Sequence, residues 1–231
     1  MKTIGLVGGL SPESTIEYYR QITHDYNQLM GGTEFPQMII RSLNLAEISK
    51  FQRNNQWDSV ADQILMAVND LFNAGADFAA ICANTPHNAW QKIMDRQPPI
   101  PILSIMEATA QAVKKAGLST VGLLGTLPTM KNGSFEAFFR KYQIELVTPA
   151  YVDAEKVDRI IWRELVLGQI TGESRAINLE ILNRVIKRGV QGLILGCTEL
   201  GLMIKPENVP VVVFDTATIH AQAILEYALN D

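Results

Sequence analysis

The residue types best suited to chemistry lie in Gly196-Cys197-Thr198-Glu199, directly after the apolar run 193–195. A thiol next to a hydroxyl and a carboxylate can act as an acid, a base or a nucleophile. In open α/β sheets, ligands bind at the carboxyl ends of the strands. A cysteine inside a strand is more often a small buried hydrophobe. Cys197 follows its apolar run rather than lying within it, which favours the chemical interpretation.

A second copy of this unit lies earlier in the chain. Residues 75–85 align with residues 189–199, an offset of 114 (189 − 75). Each segment begins with a glycine, continues through an apolar run and ends in small polar residues. In this alignment Ala83 takes the place of Cys197.

Two further segment pairs repeat in the same order. Residues 5–9 resemble residues 122–126 at an offset of 117 (122 − 5), and residues 100–103 resemble residues 209–212. Self-similarity at a long, nearly constant offset indicates a duplicated architecture. We therefore expect two similar halves.

Composition limits the classes of protein to consider. The chain has 231 residues, of which 47% are hydrophobic and 19% charged, as in soluble globular proteins. The net charge of −4 without a basic stripe argues against nucleic acid as a partner. No apolar run approaches the roughly 20 residues of a membrane span. Two cysteines and an N-terminus without a signal-peptide pattern predict a cytoplasmic protein without a disulfide framework.

Apolar strands alternate with amphipathic helices along the whole chain, which predicts parallel sheets with helices on both faces. We expect an α/β fold of two similar three-layer α/β/α domains with mostly parallel sheets, related by a pseudo-two-fold internal duplication. The N-terminal domain is predicted to comprise residues 1–98 plus 214–231, and the C-terminal domain residues 99–213. The active site is expected in the cleft between them.

Several local predictions concern the segments around the candidate site. In residues 8–15 a glycine-rich turn opens a helix, with Ser11 as its cap and Pro12 in its first position. Neither a Rossmann fingerprint nor a phosphate-binding loop is present, so this turn suits a carboxylate better than a nucleotide. Residues 45–58 are predicted to form a loop with a short helix. In the second half, helices are expected to begin near Asn132, at Lys156 and at Ala176.

These motifs resemble those of the aspartate/glutamate racemase family, which also includes hydantoin racemases, maleate isomerases and arylmalonate decarboxylases. The resemblance covers nearly the whole chain and rests on residues 8–15, 83–87 and 196–199. Gln52-Arg53 and Trp57 are similar to the branch of broad-specificity aspartate/glutamate racemases.

The resemblance implies proton transfer at the α-carbon of an amino acid, without a cofactor or a metal, by one acid/base on each face of that carbon. It implies a small dicarboxylic amino acid, aspartate or glutamate, as substrate, and a homodimer; the composition already argues against nucleic-acid and membrane partners. Cys197 would be one acid/base. The substrate would be held by Leu10, Ser11, Gln52, Asn84, Thr85, Thr126, Thr198 and Glu199.

The chain departs from this family at the position of the second acid/base, where the family has Cys, or Thr in one branch. The residue here is Ala83, which can neither take nor give a proton. Cys82 is adjacent, but neighbours on a strand point to opposite faces, so we expect it to face the core. Impaired racemisation is therefore expected, with water or Cys82 serving the other face. The alternatives are a single-thiol decarboxylase or isomerase of the same superfamily, and a non-catalytic protein that binds a small acid.

Other titratable residues have less specific interpretations. His87 either orients Asn84 or contacts the substrate, or else it merely caps a helix or faces solvent. Glu199 is interpreted more readily as a helix first-turn acid than as a partner of Cys197. His220 is predicted to be structural. The remaining candidates to pair with a substrate carboxylate are Arg53 and Lys156.

Overall fold

Two separate parallel sheets of four strands each are found in residues 1–230, the part of the chain that the computed structural model describes. The strands are β1 (Ile4–Gly8), β2 (Met38–Ser42), β3 (Phe78–Ile81), β4 (Ile102–Leu103), β5 (Thr120–Gly125), β6 (Glu145–Val147), β7 (Gly192–Gly196) and β8 (Val212–Asp215). The first sheet has the order β2-β1-β3-β4, and the second has the order β6-β5-β7-β8. Since each strand of the first sheet has a counterpart at the same place in the second, the predicted duplicated α/β architecture is confirmed.

The register between strands gives the same residue equivalences as the sequence repeat. Gly5 of β1 lies opposite Ala79 of β3, and Gly122 of β5 lies opposite Leu193 of β7. The offsets are 117 for the first strands (122 − 5) and 114 for the second (193 − 79). An offset of 114 places the residue after Cys82 on Cys197, so Ala83 and Cys197 are structural equivalents.

The third segment pair needs a correction. Ile102 lies opposite Ala79, and Val213 lies opposite Leu193, so Ile102 corresponds to Val213 rather than to Val211. The predicted match is thus displaced by two residues. A two-residue shift keeps every side chain on the same face of the sheet, and the apolar pattern therefore does not reveal it.

Eleven α-helices accompany the strands within residues 1–230. They are α1 (Pro12–Met30), α2 (Leu45–Arg53), α3 (Trp57–Asn73), α4 (Trp90–Asp95), α5 (Ile105–Lys115), α6 (Leu127–Lys131), α7 (Ser134–Arg140), α8 (Tyr151–Arg163), α9 (Gly172–Ile186), α10 (Leu200–Met203) and α11 (Thr216–Leu229). Short 3-10 helices occupy Thr85–Ala89, Leu165–Leu167 and Pro206–Asn208. None of the helices described in this range has both the length and the apolar character to cross a membrane.

Both faces of the first sheet are buried. Side chains of α1 and α11 pack on one face with Leu6, Ala80 and Cys82. Side chains of α2, α3 and α4 pack on the other face with Val7 and Ile81. This alternation follows from the two-residue period of a strand, in which successive side chains point to opposite faces. The result is a three-layer unit.

The second sheet is built in the same way. Leu193 and Leu195 of β7 pack with apolar side chains of α8 and α9. Ile194, which lies between them and points to the opposite face, is 1% exposed. A parallel sheet buried on both faces has strands that are apolar at nearly every position, and this explains the unbroken apolar run of β7.

Some helices begin earlier than the sequence predicted. Residues 45–58 contain the whole of α2 and the start of α3, whereas a loop with a short helix was expected. Asn44 caps α2 through a bond from the N–H of Ala46 to its side-chain oxygen. In the second half, the helix expected near Asn132 is α7, which begins at Ser134, and a short helix before it, α6, starts at Leu127 after its cap Thr126 and was not predicted. The predicted starts of α8 and α9 were also too late, by five and four residues.

The chain divides into two units. The first comprises Met1–Ile105 and the residues from Ala217 onward, and the second comprises Met106–Thr216. The chain therefore passes from one unit to the other at 105/106 and at 216/217, and both of these crossings lie later than the predicted boundaries at 98/99 and 213/214. The physical reason is strand pairing: β4 pairs with β3 in the first sheet, and β8 pairs with β7 in the second.

Two fully buried histidines fix the end of β4. His220 lies 2.8 Å from the hydroxyl of Tyr18 through Nδ1 and 3.2 Å from the carbonyl of Leu103 through Nε2. His87 accepts a hydrogen bond from the N–H of Ile105 at 3.4 Å through Nε2. Burial lowers the pKa of His87 to about 4 and that of His220 to about 3. Both rings are therefore neutral at pH 7, and the structural role predicted for His220 agrees with its contacts.

Glycine is required where β5 touches β7. A Cβ atom on Gly125 would lie 2.5 Å from the carbonyl oxygen of Gly196. We expect Gly125→Ala to lower the free energy of unfolding by about 1–3 kcal/mol, because the neighbouring strand has to move. Gly172→Ala is the matched control, since a Cβ there meets nothing within 4 Å. Urea unfolding of both variants checks this, and equal stability of the two would contradict it.

Acid should destabilise the fold through the buried histidines. Their pKa values in the folded state lie below the ordinary value of 6.5, so their contribution to stability is complete above pH 6.5 and is lost as the pH falls towards 4. Each histidine should cost about 1.4 kcal/mol per pH unit in that window. Urea unfolding between pH 7.5 and 5 measures the slope. His220→Phe should make this slope shallower, because it removes one of the two buried rings, and an unchanged slope would contradict the prediction.

Candidate functional site

Cys197 lies in a tight turn directly after β7. The residue is 7% exposed, and its Sγ donates to Oε2 of Glu199 at 2.9 Å. The hydroxyl of Thr198 donates to the same oxygen at 2.9 Å. The turn is closed by the N–H of Leu200, which donates to the carbonyl of Cys197 at 3.0 Å. One buried carboxylate therefore orients both the thiol and the neighbouring hydroxyl.

The surroundings of Cys197 keep its thiol protonated. Burial raises the pKa of the Cys197 thiol, and the negative charges of Glu199 and Asp158 raise it further. A neutral thiol is a proton donor, whereas a thiolate is needed for proton abstraction. The arrangement thus favours the acid form of Cys197 at neutral pH.

The interpretation of Glu199 as a helix first-turn acid is wrong. α10 begins at Leu200, and the side chain of Glu199 makes no capping bond to it. The carboxylate instead accepts from Cys197 and Thr198 and is 3% exposed. The sequence did not distinguish a helix first-turn acid from a partner of Cys197, because a side chain at this position can turn either towards the helix or back towards the strand.

Thr126 occupies the turn after β5, the strand next to β7. It caps α6, and its hydroxyl lies 3.0 Å from that of Thr129. The N–H of Leu127 donates to Oδ1 of Asp158 at 2.7 Å. Asp158, on α8, was not singled out from the sequence. Its contact with this turn is tertiary, and no local pattern around it signals the role.

Ala83 occupies the corresponding turn after β3. Ala83 is 5% exposed and belongs to the cluster that includes Leu10 and Ile48. Cys82 is fully buried on the other face of the sheet with Leu6 and Tyr18, as strand alternation predicts. Burial raises the pKa of the Cys82 thiol. A thiol in that position is a core side chain.

The turn between β1 and α1 lies beside the Ala83 turn, because β1 and β3 are neighbours. Ser11 is fully buried and accepts from the N–H of Ser14 at 3.3 Å, so it is the predicted cap of α1. The hydroxyl of Ser14 in turn donates to the carbonyl of Cys82 at 2.7 Å. This bond ties the first turn of α1 to the end of β3.

Gln52 lies on the buried face of α2 and is 4% exposed. Ile48, one turn earlier on the same face, packs in the cluster that contains Leu10 and Ala83. Arg53 is exposed and donates to the hydroxyl of Ser49 at 3.3 Å. The buried face of α2 thus belongs to the same core cluster as Ala83.

The remaining predicted contact residues differ in burial. Asn84 and Thr85 follow Ala83 directly and are 3% and 9% exposed. Lys156 is exposed on α8, with its ammonium 3.8 Å from Asp153. His87 is fully buried, which rules out the solvent-facing alternative; its Nδ1 lies 2.9 Å from the carbonyl of Ala83.

The candidate residues thus form two groups, one in each unit. The unit 1 half-site consists of Leu10, Ser11, Gln52, Ala83, Asn84 and Thr85. The unit 2 half-site consists of Thr126, Cys197, Thr198 and Glu199. In residues 1–230, no cluster of three or more His, Cys, Asp or Glu side chains could hold a metal ion. Both half-sites offer small buried hydroxyl groups; the first adds the side-chain amides of Gln52 and Asn84, and the second adds a thiol and a carboxylate.

Comparison with known proteins identifies the family. A family model described as Asp/Glu/Hydantoin racemase matches residues 7–224. A candidate Asp/Glu racemase from Yersinia pestis is 39% identical, with a TM-score of 0.89 and 100% of both chains covered. An aspartate racemase homologue from Pyrococcus horikoshii OT3 is 35% identical, with a TM-score of 0.82 and 100% of both chains covered.

A more distant relative is the glutamate racemase of Aquifex aeolicus (strain VF5). It is 24% identical over 172 residues, which are 71% of this chain and 63% of the relative. The chain thus spans less than two thirds of that relative's length. The match to the family model includes both half-sites and nearly all of both units. This chain belongs to the Asp/Glu/Hydantoin racemase family.

Proposed function

We propose that this protein exchanges the α-proton of a small dicarboxylic amino acid, aspartate or glutamate, from one face only, with Cys197 as the acid/base. Two-sided racemisation is then impaired. The observation that carries the proposal is the register of the two sheets, which makes Ala83 the equivalent of Cys197. We propose further that residues of both half-sites bind the same substrate molecule.

The chemistry follows from the requirement of racemisation for two acid/base groups. Inversion removes a proton from one face of the α-carbon and returns one to the other face. The methyl group of Ala83 can do neither. Removal and return of a proton on the same face needs one group only, so Cys197 alone supports exchange without inversion. A missing general acid or base costs about 10²–10⁴-fold in rate.

Glu199 supports both directions of proton transfer at Cys197. The thiol is protonated at rest and can deliver its proton to a carbanion. When it has to act as a base, its own proton has an acceptor 2.9 Å away in the Glu199 carboxylate. The hydroxyl and amide groups of the two half-sites would donate hydrogen bonds to the substrate carboxylates, where the charge of the carbanion develops.

A second candidate function is decarboxylation followed by protonation on a single face. The raised pKa of the Cys197 thiol favours it, because such a reaction needs only an acid. The bond between the α-carbon and a carboxylate breaks and releases CO₂, and the electron pair left on carbon takes the thiol proton. A protein that binds a small acid without turnover is the non-catalytic alternative.

Deuterium incorporation from D₂O distinguishes these functions. We expect one enantiomer of aspartate or glutamate to gain α-deuterium much faster than it inverts, as followed by proton NMR and chiral chromatography. Cys197→Ser should reduce this exchange sharply. Ala83→Cys, or Ala83→Thr, should restore inversion by supplying the missing acid/base on the other face.

Cys82→Ala is the matched control, because it removes the adjacent thiol without touching either half-site, and exchange should persist. Fast and equal inversion of both enantiomers by the unaltered chain would contradict the proposal. If Cys82→Ala then abolished that inversion, Cys82 would be the second base. Calorimetric binding of either amino acid without any exchange would favour the non-catalytic alternative.

The state of the Cys197 thiol can be measured without any substrate. Glu199→Gln removes a negative charge that raises the pKa of this thiol, so the pKa should fall and alkylation by iodoacetamide at pH 8 should become faster. The pH dependence of alkylation, followed by mass spectrometry of the Cys197 peptide, gives the value. Glu207→Gln, on the 3-10 helix Pro206–Asn208, is the control. An unchanged or raised pKa in Glu199→Gln would show that the carboxylate does not act on the thiol.

A further inference from the structure

The equivalent turns after β3 and β7 are closed by different groups. After β7, the N–H of Leu200 donates to the carbonyl of Cys197 at 3.0 Å. The equivalent of Leu200, 114 residues earlier, is Pro86 (200 − 114). Proline has no N–H, so the carbonyl of Ala83 does not receive the bond that Cys197 receives.

The imidazole of His87 supplies a donor at this position. Its Nε2 lies 3.4 Å from the backbone nitrogen of Ile105, which can only donate, so Nε2 is the accepting nitrogen. The ring proton is then on Nδ1, which donates to the carbonyl of Ala83 at 2.9 Å. The ring is also stacked on Trp90, with centroids 5.4 Å apart. The side chain is thus held from three directions.

The unit 2 counterpart of His87 is Gly201 (201 − 114 = 87). A Cβ atom on Gly201 would lie 2.0 Å from Oδ2 of Asp215, at the end of β8. The counterpart of Asp215 at the end of β4 is Ser104, because Ile102 corresponds to Val213. In unit 1 the large His87 in the turn is paired with the small Ser104 after the strand. In unit 2 the small Gly201 in the turn is paired with the larger Asp215 at the end of the strand.

We propose that His87 is a positioning residue of the unit 1 half-site, whose imidazole replaces the N–H that Pro86 lacks. By holding the carbonyl of Ala83, it fixes the peptide plane that also contains the N–H of Asn84. Asn84 and Thr85 are then presented as Thr198 and Glu199 are in unit 2. The functional part of this inference rests on the proposed function, since it assumes that the unit 1 half-site meets the substrate.

The test combines one substitution with a designed rescue. His87→Phe keeps a flat ring beside Trp90 but removes the donor to Ala83. Adding Pro86→Ala restores a backbone N–H three residues after Ala83, the spacing that Leu200 uses. Hydrogen–deuterium exchange of residues 84–90 measures how firmly the turn is held. His220→Phe is the matched control, because it removes another fully buried imidazole of the same unit.

We expect His87→Phe to lower protection of residues 84–90 by about tenfold, as the loss of one hydrogen bond implies, and Pro86→Ala to restore it. If His220→Phe also lowers protection of these residues, Pro86→Ala should not restore it, because the rescue is specific to the bond that His87 makes. A loss in His87→Phe that Pro86→Ala leaves unchanged would overturn the proposal. So would nitrogen NMR of the unaltered protein showing the ring proton on Nε2, and this measurement decides the matter even if His87→Phe does not fold.

Kinetics of variants that also carry Ala83→Cys test whether His87 positions the unit 1 half-site for the substrate. There, His87→Phe should lower the kcat of inversion with little change in KM, and Pro86→Ala should recover it. A change confined to KM, or no change, would overturn the positioning role. If Ala83→Cys shows no inversion with His87 intact, the proposed function fails instead, and protection and the ring tautomer still decide whether His87 holds the carbonyl of Ala83.

Discussion

Parallel pairing of β1 with β3, and of β5 with β7, is the constraint on which both half-sites depend. In a parallel pair the two strands end at the same edge, so the turns that follow them are neighbours. Residues distant in sequence, such as Ser11 and Ala83, or Thr126 and Cys197, come to one edge for this reason. Backbone hydrogen bonds thus place the site, and side-chain contacts only refine it.

Close approach of the backbone is the condition for that pairing. Glycines at the ends of β5 and β7 allow the two turns to touch, since a Cβ on Gly125 would collide with the carbonyl of Gly196. On the first sheet, the threonine at position 15 occupies the space beside Gly8. The small residues that end these strands are therefore needed for packing, independently of any role in catalysis.

The fold class, the internal duplication and the equivalence of Ala83 with Cys197 were accessible from the sequence, because they depend on apolar periodicity and on self-similarity. The roles of Glu199, Asp158 and His87 were not, since each is defined by where a side chain turns after the backbone is folded. The short helix α6 and the start of α8 at Tyr151 were missed for a related reason. Capping by Thr126 becomes evident only when the turn that precedes α6 is in place, and Ala150, before α8, makes no side-chain cap.

The two crossings of the chain have a consequence for synthesis on the ribosome. Unit 2 is inserted between β4 and α11, and α11 completes one face of the first sheet. All of unit 2 therefore emerges before α11 can cover Leu6, Ala80 and Cys82. The nascent first unit exposes this apolar face during that interval. The inserted unit can therefore complete its fold before α11, the helix that completes the first unit, has been synthesised.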